Sequence, residues 1–211
     1  MGTQQERRSV EERREQLIDA AINVLASEGI GAATTRRITD EAGLALGAFH
    51  YAFTSKDDLL HAVIERFSSG IETVLQHAIV DPQAPLEGLG DQLIRGYWSF
   101  VEETPELQLA QYEVAVHALR DETLRPLAEL QYKRMADAVE LVLRDHPQVP
   151  DGQVRRDVAS YLAAVMDGLI LYRVVERDPV AAARRLEVLI ATLPALIEHT
   201  QRGATNGIAT G

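Results

Sequence analysis

Six side chains between residues 35 and 56 have the chemistry to bind a polyanion: Thr35, Arg36, Arg37, His50, Tyr51 and Lys56. Cationic side chains attract phosphates, whereas hydroxyl, phenol and imidazole groups can hydrogen-bond phosphate oxygens or the edges of bases. Lys56 opens a predicted helix, where the helix dipole disfavours a cation, and a phosphate partner would explain its position. Alternatively, Lys56 is an ordinary solvated lysine and both His50 and Tyr51 only pack their small domain.

The sequence around these side chains predicts two short helices joined by a tight turn. Thr35 is a suitable N-cap for a helix that runs to about Ala42, and Gly43 stands where the chain must turn. A second short helix is expected from Leu46 to about Tyr51. The residues with the spacing to pack the two helices together are Ile38, Ala42, Leu44 and Phe49. This is the pattern of a helix-turn-helix, whose second helix can enter the major groove of DNA.

Residues 13–67 resemble the TetR/AcrR family of bacterial transcriptional regulators. The positions that match the family pattern are Gly29, Thr35, Ile38, Ala42, Gly43, Gly47, Tyr51, Phe53, Lys56 and Leu59. The resemblance implies that the helix-turn-helix binds a double-stranded DNA operator. The DNA-binding residues expected on this basis are Thr35, Arg36, Arg37, Ala45, Leu46, Gly47, Ala48, His50, Tyr51 and Lys56.

The second helix of this motif departs from the family pattern towards apolar residues. Ala45, Leu46 and Ala48 stand where polar side chains are frequent, and His50 replaces the usual Tyr. Direct readout would then depend on apolar contact with thymine methyl groups, together with His50 or Tyr51. The alternative function is an all-helical interaction protein whose helix-turn-helix no longer reads DNA.

Composition excludes several classes of function. The chain of 211 residues has no cysteine, so it has neither disulfides nor thiolate chemistry. Its six histidines match no metal-binding spacing, and no nucleophile or phosphate-loop motif is present. We therefore expect neither an enzyme nor a metal or other cofactor. The net charge is −11, but residues 1–56 carry seven Lys and Arg against eight Asp and Glu. A local basic face on an acidic body is typical of a specific regulator.

The N-terminal residues are polar and lack the apolar segment of a signal peptide. We expect that no apolar run approaches the roughly 20 residues that cross a bilayer. The expected location is the cytoplasm, with no membrane partner.

Hydrophobic periodicity predicts an all-α fold of about nine helices. The predicted domains are a helix-turn-helix DNA-binding domain over residues 10–55, a ligand-binding and dimerisation domain over 56–201, and a flexible tail over 202–211. The eighth helix, from about residue 151 to 176, is apolar nearly all round, and the ninth is amphipathic. We expect a homodimer through these two helices, as the family resemblance also implies. The alternative is that the eighth helix is only the buried centre of a bundle.

The resemblance also implies a cavity for a small-molecule effector in the C-terminal domain. The candidate ligand-binding residues are Phe67, Ile71, Trp98, Gln111, Tyr112, His117 and Met166. Each of them could equally be an ordinary core residue. The predicted function is that of a ligand-responsive transcriptional regulator, a repressor that a small apolar or aromatic molecule releases from its operator.

Overall fold

The structure is a computed structural model that describes the backbone of residues 2–81, 84–144, 146–150 and 152–208, and the side chains of residues 10–202 within these ranges. The described residues form nine α-helices and no strand, which confirms the all-α prediction. The helices are α1 (Gly2–Glu28), α2 (Thr35–Glu41), α3 (Leu46–Ala52), α4 (Lys56–Ala78), α5 (Leu86–Glu103), α6 (Pro105–Leu119), α7 (Arg125–Leu143), α8 (Gln153–Glu176) and α9 (Pro179–Ile208).

Helix α1 already begins at Gly2, before residue 10, where the predicted DNA-binding domain starts. Helix α7 begins at Arg125, after a turn in which Asp121 accepts hydrogen bonds from the backbone N–H and the hydroxyl of Thr123. Helix α9 continues to Ile208, through most of the predicted tail at 202–211. The last three residues of that tail lie outside the described residues, and its predicted flexibility stays a prediction.

Side-chain caps set the start of α2 and α4. The N-cap of α2 is Thr34, whose Oγ1 accepts from the backbone N–H of Arg37 at 3.1 Å, so the cap lies one residue before the predicted Thr35. At the start of α4, Ser55 Oγ accepts from the N–H of Asp58 at 3.1 Å. Asp58 in turn accepts from the N–H of Thr54 at 2.9 Å. Each of these bonds satisfies a backbone donor that has no partner within its own helix.

The chain divides into two compact units. Unit 1 comprises residues 1–67 and 105–131, and unit 2 comprises residues 68–104 and 132–211. Unit 1 therefore contains α1, α2 and α3, the first half of α4, α6 and the start of α7. The predicted functional domains, 10–55 and 56–201, are each continuous in sequence, whereas each of these two units combines separate segments. The predicted division by function stays a prediction.

The core of unit 1 brings the helix-turn-helix onto α1 and α4. Phe49 of α3 and Phe53, directly after it, are almost fully buried, with their ring centroids 5.7 Å apart. Arg14 of α1 donates to the carbonyl of Ala52 at 3.0 Å, and its guanidinium lies 4.2 Å from the centre of the Phe53 ring. A cation at the C-terminus of α3 is favoured by the helix dipole. These contacts fix the orientation of α3 within unit 1.

Unit 2 is a bundle in which α9 packs on α5 and α8. The apolar face of α9, including Leu186, Leu189 and Leu193, is buried within the unit. The segment after α7 closes one end of α5, where His146 Nε2 donates to the carbonyl of Ala84 at 2.8 Å and Gln148 Oε1 accepts from the N–H of Leu86 at 2.9 Å.

By length and composition alone, helix α8 could cross a membrane. In its most apolar stretch of 18 residues, 33% is buried within the chain. The sequence expectation that no segment approaches that length was therefore wrong. Such a helix also fits the core of a bundle or an interface. Leu171, Tyr172 and Val175 of α8 are exposed, which leaves an apolar surface along the helix.

Helix α6 is tied to the end of α1 by one carboxylate. Glu113 Oε2 accepts from the backbone N–H of Ile30 at 2.7 Å, just beyond α1. A Cβ atom on Gly29 would lie 2.8 Å from the same oxygen, and Gly29 has a φ of +81°. Only glycine combines that backbone conformation with so close a carboxylate.

Replacing Glu113 with Ala should lower the free energy of unfolding by about 1–3 kcal/mol, because it leaves the partly buried Ile30 N–H without its acceptor. Chemical denaturation of the wild type, Glu113→Ala and the exposed control Glu198→Ala measures this difference. Equal stability of all three proteins would show that the bond contributes nothing.

Candidate nucleic-acid interface and apolar cavity

The turn between α2 and α3 is built on Gly43, which has a φ of +66°. The N–H of Gly43 donates to the carbonyl of Asp40 at 3.2 Å, and the N–H of Leu44 donates to that of Thr39 at 2.9 Å. Thr39, buried at the crossing of the helices, satisfies its hydroxyl by donating to the carbonyl of Arg36 at 2.9 Å. The close turn predicted from the sequence is therefore present, and it sets the angle at which α3 leaves α2.

Helix α3 buries one side and presents the other to solvent. Phe49 is buried, whereas Leu46 is 48% exposed and Tyr51 is 77% exposed. Ala45, Gly47 and His50 are also exposed, and Ala48 is half-buried. Exposing these two large side chains on a helix of only seven residues forgoes the favourable free energy that their burial would contribute. The face is suited to binding another molecule.

Arg36 and Arg37 have different environments, although they are adjacent. The Arg37 guanidinium donates to Glu28 at 2.9 and 2.6 Å and to Glu41 at 2.8 Å. These carboxylates raise the pKa of Arg37 above its ordinary value. Arg36 is exposed, and the described residues give it no ion pair. Arg36 is thus the freer of the two cations, while Arg37 links α2 to the end of α1, and the predicted contact of each with DNA stays a prediction.

Thr35 and Lys56 occupy the first positions of α2 and α4, and both are half-buried. The first turn of α4 also carries Asp57 and Asp58, whose charges already complement the helix dipole. The position of Lys56 therefore does not by itself require a phosphate. Its contact with DNA stays a prediction that the exposed face of α3 makes reasonable.

A cavity in unit 2 lies between α4, α5, α7 and α8. It encloses about 370 Å³ of space between atoms, part of which is open to solvent. The wall is apolar and consists of Ile71, Leu75, Leu93, Ile94, Tyr97, Met135, Val139, Leu162, Ala163 and Met166. The enclosed part of this space is much smaller than the total, because the total includes the opening to solvent.

The cavity includes two of the seven ligand-binding residues predicted from the sequence, Ile71 and Met166. Trp98 is buried in unit 2 but is not part of the described wall. The remaining four, Phe67, Gln111, Tyr112 and His117, belong to unit 1. Their role in ligand binding stays a prediction.

The helical periodicity of the sequence could have identified more of the residues that line the cavity. Leu93, Ile94 and Tyr97 are spaced as one face of α5, as are Met135 and Val139 on α7. What the sequence could not show is which apolar faces leave space between them, since a filled core has the same periodicity.

Tyr97 is the one wall residue with a hydroxyl group. Its side chain is buried, with 3% of its surface exposed, and its hydroxyl has no hydrogen-bond partner among the described residues. Burial, together with the charge of Asp167, raises the pKa of Tyr97 above its ordinary value. The phenol therefore keeps its proton at neutral pH and remains a hydrogen-bond donor.

Two family models match this chain. Residues 17–63 match the bacterial regulatory proteins of the tetR family, and residues 81–195 match the tetracyclin repressor-like C-terminal domain. The first match covers the helix-turn-helix, and the second covers α5, α7 and α8, three of the four helices that form the cavity.

Individual proteins are similar over most of the chain. The HTH-type nicotine-responsive transcriptional repressor HdnoR of Paenarthrobacter nicotinovorans is 28% identical over 77% of this chain and 84% of its own. The crystal structure of the multidrug binding protein EbrR complexed with malachite green is 30% identical, with a TM-score of 0.64, over 86% of this chain and 98% of that one. A transcriptional regulator from Streptomyces coelicolor A3(2), described as putative in its crystal structure, is 26% identical, with a TM-score of 0.70, over 87% and 98% of the two chains.

Proposed function

We propose that this chain, which belongs to the TetR family of bacterial transcriptional regulators, is a cytoplasmic homodimeric repressor that a small, mainly apolar molecule releases from its DNA operator. The observation that carries the proposal is the exposed face of α3, where Leu46 and Tyr51 project from a helix whose opposite side is fixed by Phe49. A surface of this kind, at the second helix of a helix-turn-helix, is suited to the major groove.

The proposed contacts divide into two groups. Arg36 and Lys56, with Thr35 beside them, bind the phosphate backbone and set the register of the domain on the duplex. At α3 and its N-cap Ala45, the bases are contacted by His50 and Tyr51 through hydrogen bonds, and by Ala45, Leu46 and Ala48 through thymine methyl groups. Gly47 allows the helix to approach the duplex closely.

Arg36→Ala should weaken binding to DNA and reduce the slope of log affinity against log salt by about one unit, because one phosphate contact is lost. Arg37→Ala is the matched neighbour, since it breaks the pairs with Glu28 and Glu41 but removes no proposed phosphate contact. It should leave the slope unchanged. Fluorescence anisotropy with DNA from the region flanking its own gene, at several salt concentrations, measures both variants.

A reversed result, in which only Arg37→Ala lowers the slope, would place Arg37 rather than Arg36 on the duplex. If the wild type binds this DNA no better than a random duplex, the selective readout proposed for α3 is wrong.

The proposed dimer uses the exposed apolar surface of α8 and α9. This surface consists of Leu171, Tyr172 and Val175 on α8 and Val188 on α9. The opposite face of α9, with Leu189, is already buried in its own unit, so it is not available to a partner. Two copies related by a two-fold axis would cover the same surface on both chains.

Val175→Glu should convert the dimer to a monomer, because Val175 is 71% exposed in the single chain and an introduced charge would be buried only in the pair. The wild-type interface should bury about 1,200 Å² or more. Sedimentation velocity at micromolar concentration measures the assembly, and circular dichroism shows whether the variant stays folded. Glu198→Ala is the control, and a monomeric wild type would contradict the dimer.

The proposed signal travels along α4. Ile71 and Leu75 line the cavity in unit 2, while the same helix begins at Lys56 in unit 1. A ligand changes DNA affinity only if it prefers one of two conformations, so it must contact an element that differs between them. We propose that ligand binding shifts α4, and with it the spacing of the two DNA-binding domains in the dimer.

Ile71→Trp should fill the cavity, leave DNA affinity near the wild-type value and abolish release by small molecules. Glu72→Trp, on the adjacent exposed position of α4, is the matched control and should still respond. Anisotropy of labelled DNA, titrated with nicotine, malachite green and acetophenone, measures release. Release that persists in Ile71→Trp would show that the ligand binds elsewhere.

A further inference from the structure

The wall of the cavity contains one buried hydroxyl, that of Tyr97, with no hydrogen-bond partner among the described residues. A buried donor without a partner is unfavourable relative to one that makes a hydrogen bond. Replacing Tyr by Phe would remove that cost without changing the apolar wall. A tyrosine at this place is therefore unfavourable for the ligand-free protein, and a ligand that accepts its hydrogen bond would recover the loss.

The charges around Tyr97 restrict the kind of acceptor. Asp167 lies on α8 one turn after the wall residue Ala163, and its Oδ2 accepts from the hydroxyl of Tyr132 at 3.3 Å. Tyr132 in turn precedes the wall residue Met135 by three positions on α7. The carboxylate thus lies beside the cavity, and its negative charge disfavours an anionic ligand there. A charged group of either sign would also lose its hydration in an apolar cavity.

We propose that the Tyr97 hydroxyl is the donor that selects the effector, and that the effector is a compact neutral molecule with an apolar body and one acceptor atom, such as a carbonyl oxygen. This inference rests on the proposed function, because it names the ligand class of the same cavity. The flexible side chains of Met135 and Met166 allow the wall to adjust until the acceptor reaches the hydroxyl.

Four probes of similar size separate the ligand classes: acetophenone is neutral with one acceptor, ethylbenzene has none, benzoate is an anion and 1-phenylethylamine is a cation. Isothermal titration calorimetry measures each of them on the full-length protein without DNA. Wild-type protein should bind acetophenone most tightly. The preference for acetophenone over ethylbenzene should fall about fivefold to tenfold in Tyr97→Phe, which corresponds to the loss of one hydrogen bond.

Tyr161→Phe is the matched control, because Tyr161 is an exposed tyrosine of α8, and it should keep the wild-type preference. Thermal unfolding provides a second readout, in which ligand-free Tyr97→Phe should be at least as stable as the wild type. An unchanged preference in Tyr97→Phe, or no binding of acetophenone, would overturn the role of the hydroxyl. If 1-phenylethylamine binds most tightly and Asp167→Asn removes that binding, the effector is instead a cation held by Asp167.

These measurements do not involve DNA, so their failure is distinguishable from failure of the proposed function. A protein that binds its operator and is released by another class of molecule would contradict only the ligand class. A protein that binds acetophenone through Tyr97 but does not bind DNA selectively would contradict only the repressor function.

Discussion

The continuity of helix α4 is the constraint on which the proposed mechanism depends. Its 23 residues form one helix, whose first part belongs to the unit with the helix-turn-helix and whose second part belongs to the unit with the cavity. Leu59 and Val63 are buried in the core of unit 1, and Ile71 and Leu75 line the cavity of unit 2. In the proposed mechanism, the continuous backbone hydrogen bonds of α4 would carry a displacement at Ile71 to residues about 15 positions earlier.

Within unit 1, electrostatic contacts organise the DNA-binding domain and also determine which cations remain for DNA. Arg14 and Arg37 are held by intramolecular partners, while Arg36 is exposed and has no ion pair among the described residues. Counting positive charges along the sequence therefore overestimates the phosphate-binding surface. With a net charge of −11 for the chain, attraction to the duplex has to come from the few cations that remain available on this face.

The sequence predicted the helices well where caps and periodicity were clear. The turn at Gly43 follows from the conformational preference of glycine, and its prediction was correct. The cap of α2 was misplaced by one residue because Thr34 and Thr35 are chemically equivalent caps, and only the three-dimensional contact with Arg37 distinguishes them. The cavity was harder to predict, since periodicity identifies buried faces but not the space between them. Tyr97 and Trp98 are adjacent and both buried, yet only Tyr97 is part of the described wall.

We propose that two copies of the exposed α3 face read one stretch of duplex DNA. Hydroxyl-radical footprinting of the wild-type protein on the DNA flanking its own gene measures this directly. We expect two protected segments whose centres are about one helical turn apart, roughly 34–36 Å, and the loss of both in a variant with Leu46 and Tyr51 replaced by Ala. A single protected segment, protection without any preferred position, or a pattern unchanged in that variant would show that the two α3 faces do not read the duplex in this way.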